Sequence, residues 1–403
     1  MTKPHILVVN VFYAPFSYGG ATIVAEQVAQ SLLQSGACFV TAVSTCSRSD
    51  LQAYSVACTE KDGVVNYLIN LPPDRKFTEI YNNPQVTEIL AQLIDAIAPN
   101  VIHMHCLQDI GAGGLSVARE ANIPVVLSIH DFWWVCERQF MIRPDSRYCN
   151  QNPIDIDTCQ HCVANRGATK LRSDYLRRQA DLADIITYPS EFARGLCESS
   201  GFAPGGGVVW ENGVRPPSPA FFAKQKARRA RSSAIVFGFL GGPSQIKGWP
   251  LVRQAFSDIG RDDFAGILVD GSTDGSWWQS ADITTLRGTW QIQPRFEQSA
   301  VDDFYAQIDV LLFMSQWKET FGLAIREAVA RGITVIQTDS GGTTEHSGVD
   351  REHLLPIGAP ATALTKRLND VLDAPPFTQL LPVRTYDEQA SEFLSMVAPL
   401  LAK

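Results

Sequence analysis

Two carboxylates, Glu319 and Glu327, stand eight positions apart with Phe321, Gly322 and Leu323 between them. Glu319 is expected in a loop and Glu327 inside a helix that Gly322 opens. A glycine at a helix entrance exposes backbone N–H groups, and these with the helix dipole form a ready site for a phosphate or a developing oxyanion. An ionised carboxylate one turn further in is acceptor-only, which suits the hydroxyls of a sugar or a ribose. For an isolated Glu pair the blander assignment, a capping acid and a solvated helical acid, would be the favourite. Four cysteines, Cys136, Cys149, Cys159 and Cys162, make a second cluster of chemistry-bearing residues, in a polar stretch rich in Pro, Asp and Asn.

The elements that must hold these groups are read from periodicity. Short β-branched runs at His5 to Val11, Phe39 to Ser44, Val101 to His105 and Val125 to Ile129 read as buried strands with amphipathic stretches between them. Such alternation implies parallel α/β architecture. The clearest helix follows the first run: Ala21, Val24, Ala25, Val28, Ala29 and Leu32 share one face, Gly19-Gly20 open it and Gly36 stops it. A second α/β series runs through Ile235 to Leu240, Gly266 to Val269, Val310 to Phe313 and Thr334 to Gln337. Between the series, the prolines before Ala220 and the basic run Lys224 to Arg231 mark a composition shift that reads as an interdomain connection. The expected organisation is a first domain over 1–215 with a cysteine-bearing insertion at 136–165, a linker at 216–233, a second domain over 234–380 and a C-terminal helix at 381–403.

At 403 residues, two large domains are favoured over one. Hydrophobic residues at 45% and charged residues at 19% exclude a disordered or low-complexity chain. A net charge of -8 argues against a broad footprint for nucleic acid. The apolar runs are strand-length, well short of the roughly 18 to 20 residues of a membrane-spanning helix. The N-terminal run reads as a strand rather than a signal peptide, and nine sparse cysteines suit a reducing compartment, so a cytoplasmic location is expected.

The segment from Ser315 to Glu345 resembles the Glu-x7-Glu element of the retaining glycosyltransferases of family 4. The resemblance rests on Glu319, Phe321, Gly322, Leu323, Glu327, Ala328, Ala330, Gly332, Val335, Thr338, Gly341, Gly342 and Glu345, with Thr334 replacing the family's proline. It extends over nearly the whole chain: Tyr13-Ala14-Pro15 with Gly19-Gly20, the runs ending at His105 and at His130-Asp131, Glu211-Asn212-Gly213-Val214, and the loop Gly241 to Gly248. The family's fold is GT-B, two facing Rossmann-like domains with a deep interdomain cleft, closed by a final helix that crosses back onto the first domain.

The resemblance implies site roles. Lys247 would hold the donor diphosphate in a site shared by Gly241, Gly242, Thr320, Phe321, Gly322 and Leu323, with Gly19 and Gly20 letting the backbone approach the donor or acceptor. Glu327 would accept from ribose hydroxyls and Glu319 from the donor sugar, and His130 would sit beside the reacting centre. The donor would be a nucleotide-diphosphate sugar, the acceptor a glycan, a lipid-linked or a small molecule, and no cofactor would be required for catalysis. A hexosyl- or deoxyhexosyltransferase of polysaccharide or glycoconjugate assembly results, with at most peripheral contact at the cytoplasmic face of a membrane. Alternatives on the same fold are a nucleotide-sugar epimerase or hydrolase, and a non-catalytic nucleotide-sugar-binding partner subunit. One departure bears on them: the family commonly carries an arginine in the glycine-rich loop ahead of the lysine, where this chain has Gly241-Gly242.

Other signals keep two assignments each. The four cysteines are a candidate structural zinc site, with reduced thiols or a disulfide as alternatives. His103 and His105, two apart on a strand end, are expected on opposite faces. Trp277, Trp278 and Trp290 either stack on a nucleotide base or pack a core. The run Lys224 to Arg231 is either a solvated linker or a contact for lipid head groups.

Overall fold

The computed structural model describes residues 3–279, 281, 283–374 and 380–402. They form two units: Met1–Phe140, Gln151–Gly213 and Arg384–Lys403 make the first, and Met141–Asn150 with Val214–Val383 the second.

Unit 1 is built on one sheet of β1 (His5–Val9), β2 (Phe39–Cys46), β3 (Val56–Lys61), β4 (Val64–Asn70), β5 (Val101–Met104), β6 (Val125–Ser128), β7 (Ile185–Tyr188) and β8 (Gly207–Val209). The spatial order is β3-β4-β2-β1-β5-β6-β7-β8, parallel throughout except for the β3–β4 pair at one edge. Helices α1 (Gly20–Gln34), α2 (Pro84–Ile97), α3 (Gly114–Glu120), α4 (Arg166–Ala180) and α5 (Glu191–Ser199) connect the strands. Ile6, Leu7, Val8 and Val9 are all buried, the continuous apolar run of a strand covered on both faces. β1 lies between β2 and β5, so chain order reverses there, and the loops after β1 and β5 open at a topological switch point. Asn10 ties those loops together: its Oδ1 accepts from Cys106 N at 3.0 Å while its Nδ2 donates to Phe12 O at 2.7 Å.

Unit 2 contains α6 (Pro219–Arg231), β9 (Ile235–Phe239), α7 (Trp249–Asp258), β10 (Phe264–Asp270), β11 (Thr289–Pro294), α8 (Val301–Tyr305), β12 (Val310–Phe313), α9 (Leu323–Ala330), β13 (Thr334–Gln337) and α10 (Ala361–Asp373). Its five strands are all parallel in the order β11-β10-β9-β12-β13. Here the order reverses between β9 and β12, which puts the loops Leu240 to Gly248 and Met314 to Gly322 at the switch point.

The stretch expected as an interdomain connection folds as α6, a full element of unit 2. Ser218 caps it, accepting from Phe221 N at 3.3 Å, and Pro219 occupies its first turn. Phe221 is buried in the core beside Ile267 and Phe304. The Arg228 guanidinium grips Asp309 with both terminal nitrogens, Arg229 Nε donates to Asp309 at 3.1 Å, and Asp309 also accepts from Val236 N at 3.0 Å. Two of the basic side chains thus hold α6 to the start of β9.

The last helix, α11 (Tyr386–Leu401), belongs to unit 1 and packs on α1. Thr385 and Glu388 form a capping box at its start. Gln389 accepts from Gly213 N at 2.7 Å and from Trp210 Nε1 through its carbonyl at 3.2 Å. A Cβ on Gly213 would lie 2.5 Å from the Thr385 carbonyl, so only glycine permits this approach. Among the described residues no helix is long and apolar enough to cross a membrane.

Candidate active site

In unit 2 the switch-point loops carry Lys247 and Glu319. Lys247 sits one residue before Gly248, whose φ of 81° is the left-handed conformation glycine tolerates, and whose Cβ would strike Met314 O at 2.1 Å. The lysine Nζ donates to Glu319 Oε1 at 2.7 Å and lies 5.5 Å from the Trp317 ring centre. Glu319 also accepts from the Ser315 hydroxyl. Its backbone is knitted to the turn that follows β13: Glu319 N donates to Ser340 O at 2.9 Å, and Gly342 N to Glu319 O at 3.0 Å. The Lys247 side chain keeps 34% of its exposure and that of Glu319 13%, so the pair is reachable from solvent through the lysine.

Gly322, at φ 83°, caps the eight-residue helix α9. A Cβ there would meet Thr343 at 3.0 Å. Thr320, Phe321 and Gly322 follow Glu319 directly and lead into the helix that Leu323 begins, and the N–H groups at such a helix start have no carbonyl further back in the helix to accept them.

Glu327 is buried in α9, where Oε1 accepts from Gln298 Nε2 at 3.0 Å and Oε2 from the Tyr305 hydroxyl at 3.2 Å. It is therefore not the solvated helical acid of the bland assignment. Burial pushes its pKa up, while Gln298, Arg331 and Tyr305 pull the other way. A carboxylate offers about four lone-pair sites, so two bonds leave capacity for hydroxyl donors.

Arg326, like Arg295, is a cation near this segment in sequence that could replace the missing loop arginine, but spacing alone does not position it. Its guanidinium is buried, lies 4.2 Å from the Phe321 ring centre and donates to the carbonyls of Phe321, Thr343 (3.0 Å), Gly342 (2.9 Å) and Glu345 (2.8 Å). It clamps the segment before α9 to the 342–345 turn, so it is committed to backbone carbonyls rather than standing in for the family's loop arginine. No periodic signal marks it, because an arginine on a helix reads as solvated by default.

The three tryptophans divide. Trp278 is core, donating to Val269 O at 3.0 Å and meeting Trp249 edge-on. Trp290 packs on Phe256 and over Gly266. Trp277 leans on Gly242 and Gly271, the two loop glycines at the ends of β9 and β10.

Unit 1 holds the other expected residues. Gly19 (φ 81°) and Gly20 start α1 at the surface. His130 follows β6, and its Nε2 lies 2.8 Å from Nδ1 of His105. His103 Nε2 lies 2.8 Å from the Ser128 hydroxyl, which is 2.8 Å from that of Thr187. The rings of His103 and His105 stand only 3.9 Å apart, which corrects the expectation of opposite faces: side chains alternate along an extended chain, so residues two apart share a face. Burial drives all three below the ordinary histidine pKa, His103 to about 3 and His130 to about 4, so they are neutral at pH 7. Asp131, raised by burial, accepts from Gln108 (3.0 Å), Gln139 (2.6 Å) and Trp133 N (2.8 Å), and so pins the loop after His130.

Cys136 ends a turn on Phe132 O, Cys149 follows the bridge between Ile142 and Tyr148, Cys159 lies within the 3-10 helix Ile156–His161, and Cys162 caps its C-terminal end. Among the described residues no three His, Cys, Asp or Glu side chains gather as ligands for a metal ion.

Two family models match the chain: Glycosyltransferase Family 4 over residues 18–216 and Glycosyl transferases group 1 over residues 222–381. A curated relative, an uncharacterized 42.6 kDa protein in the cps region of Klebsiella pneumoniae, is 23% identical over 370 residues, covering 86% of this chain and 88% of its own. A sucrose-phosphate synthase from Thermosynechococcus elongatus superposes with a TM-score of 0.65 at 16% identity, covering 99% of this chain and 96% of its own. Anabaena HepE in complex with UDP and glucose gives 0.63 at 15% identity, covering 99% and 97%. Both have the two-domain architecture described above.

Proposed function

Because this chain belongs to the family-4 glycosyltransferases and has their GT-B fold, we propose that it moves a sugar from a nucleotide-diphosphate donor, with retention at the anomeric carbon, onto a glycan or lipid-linked acceptor. Assembly of a polysaccharide fits the cps region of the Klebsiella pneumoniae relative.

The observation that carries the reading is the Lys247–Glu319 pair beside the N-terminus of α9, at the switch point of a parallel sheet. As the glycosidic bond breaks, negative charge grows on the leaving diphosphate, and a cation with preorganised N–H donors stabilises that charge more than the ground state. Lys247 is assigned to the diphosphate, with the N–H groups of Phe321, Gly322 and Leu323 adding to it. Glu319 then accepts from the donor sugar and Glu327 from the ribose. His130 takes the acceptor side. The leaving phosphate itself serves as base for the incoming hydroxyl on the same face, so the chemistry requires no metal.

Gly241-Gly242 without the arginine favours one rival, a nucleotide-sugar-binding subunit without turnover. Calorimetric titration with UDP, GDP, dTDP and ADP in metal-free buffer, repeated on Lys247→Ala, tests the donor site. Selective binding of one nucleotide, weakened by the substitution, is expected. Transfer at wild-type rates by both Lys247→Ala and Glu319→Ala would sink the assignment. Binding without turnover across all glycan acceptors moves the protein to the rival class.

A further inference from the structure

The Glu319 carboxylate takes two hydrogen bonds, and both fall on the same oxygen. Oε1 accepts from Lys247 Nζ at 2.7 Å and from the Ser315 hydroxyl, while Oε2 receives neither. The two donors differ in kind. Lys247 reaches the carboxylate on a flexible four-carbon stem, keeps 34% of its side-chain exposure and is the group assigned above to the diphosphate. Ser315, two residues past β12, is only 2% exposed, and its carbonyl accepts from the Thr338 hydroxyl at 2.7 Å. The main chain of Glu319 is itself tied to Ser340 and Gly342. We propose that Ser315 is a positioning residue: its hydroxyl fixes the Glu319 carboxylate through Oε1 and so leaves Oε2 as the acceptor for a hydroxyl of the donor sugar. This rests on the reading of Glu319 as the sugar-side group.

With the backbone tied at both residues, the remaining freedom of Glu319 lies in its side-chain torsions. The last of these, at the carboxylate, is broad and two-fold, so main-chain anchoring does not choose which oxygen faces the donor. A hydrogen-bond donor held against one oxygen does choose. Each carboxylate oxygen offers about two acceptor sites, so Lys247 and Ser315 together fill Oε1 and direct a further hydroxyl to Oε2. Lys247 cannot hold this arrangement alone once a donor is bound, because the diphosphate then competes for its ammonium. The serine hydroxyl is short and buried, and its single proton is given to Glu319. It therefore keeps the carboxylate in place while the lysine serves the phosphates.

Calorimetry on the full chain separates the sugar contact from the rest of the donor. For whichever of UDP, GDP, dTDP and ADP binds best, the affinity of the bare nucleotide is compared with those of its glucose, galactose and mannose conjugates. Wild type should bind one conjugate more tightly than the bare nucleotide. Ser315→Ala should lose about tenfold toward that conjugate, the worth of a hydrogen bond to a charged group, and bind the bare nucleotide within about twofold of wild type. Ser315→Cys keeps the volume and offers only a weak donor, so it should show the same loss, and it decides the matter if the alanine variant does not fold. In Glu319→Ala the sugar contribution is already gone, so adding Ser315→Ala should cost nothing further. Equal weakening of nucleotide and conjugate in the serine variants would make Ser315 a structural residue and overturn the proposal, as would losses that multiply in the double variant. Wild-type conjugate binding by Ser315→Ala, with weakened binding by Glu319→Ala, overturns the proposal and leaves the reading of Glu319 standing. No gain from any sugar in wild type, or an intact gain in Glu319→Ala, removes that reading and the proposal together.

Discussion

Trp277 stands where a side chain on Gly242 would have to go. A Cβ at that position would lie 2.5 Å from Cε3 of the indole, and Gly242 has a φ of 65°. Both facts exclude the family's loop arginine at this position, so its absence is built into the packing around Trp277. Gly242→Arg should therefore weaken nucleotide-diphosphate binding despite the added positive charge, because the loop must move. Combining it with Trp277→Ala should recover affinity at least to the wild-type level. Calorimetry on the two variants checks this, and tighter binding by the single variant would contradict it.

Arg326 satisfies four backbone carbonyls at the entrance to α9, from inside the protein. Arg326→Met leaves those acceptors without a charged donor, and unit 2 should lose roughly 3 kcal/mol or more of unfolding free energy. Arg326→Lys should rescue little, since one ammonium cannot span the carbonyls that a planar guanidinium reaches. Urea unfolding followed by tryptophan fluorescence measures both. A loss within experimental error in Arg326→Met would mean that the turn holds itself.

Glu327→Gln separates stability from function. Burial raises the Glu327 pKa above its unfolded value, so the folded state loses stability as pH rises through that pKa. The amide escapes this loss, and Gln298 Oε1, buried without a partner, can accept from it. The melting temperature at pH 7 should hold or rise, while donor affinity falls by about tenfold, the contribution of a charged hydrogen bond. Destabilisation with intact donor binding would assign Glu327 to the fold alone.

The buried histidines of unit 1 predict acid lability with a defined sign. His103 and His130 are lowered to about 3 and about 4, and His105 is lowered well below its ordinary value. Between those values and the unfolded pKa near 6.5 the unfolded chain binds protons that the folded one does not. The stabilisation is thus complete above pH 6.5 and is lost as pH falls toward 4, at about 1.4 kcal/mol per pH unit for each histidine. Asp131 and Glu26, both raised by burial, act in the opposite sense. Three histidines outweigh two acids over the upper part of the window, so thermal unfolding of unit 1 should move to lower temperature from pH 7 to pH 5, and less so in His130→Gln. A flat profile would mean that the rings take up protons in the folded state.

Local pattern determined much of this protein. The runs at Phe39, Val125, Val310 and Thr334 became strands within one or two residues of expectation, and Gly19-Gly20 opens α1, because buried parallel strands and helix ends are set by neighbours along the chain. Glu319, Gly322 and Glu327 were legible for the same reason: a glycine-capped helix start is written in consecutive residues. The edge strands β3, β8 and β11 were not, being short or exposed and weak in apolar signal. Tertiary structure alone decided which side chains meet. Lys247 and Glu319 are 72 residues apart and His105 and His130 are 25 apart, and only the order of strands in each sheet brings them to hydrogen-bonding distance. It also tied two arginines of a basic run to Asp309 and enclosed Arg326 among carbonyls. Whether a charge is solvated or internal depends on acceptors contributed from elsewhere in the chain, and one-dimensional spacing carries no trace of them.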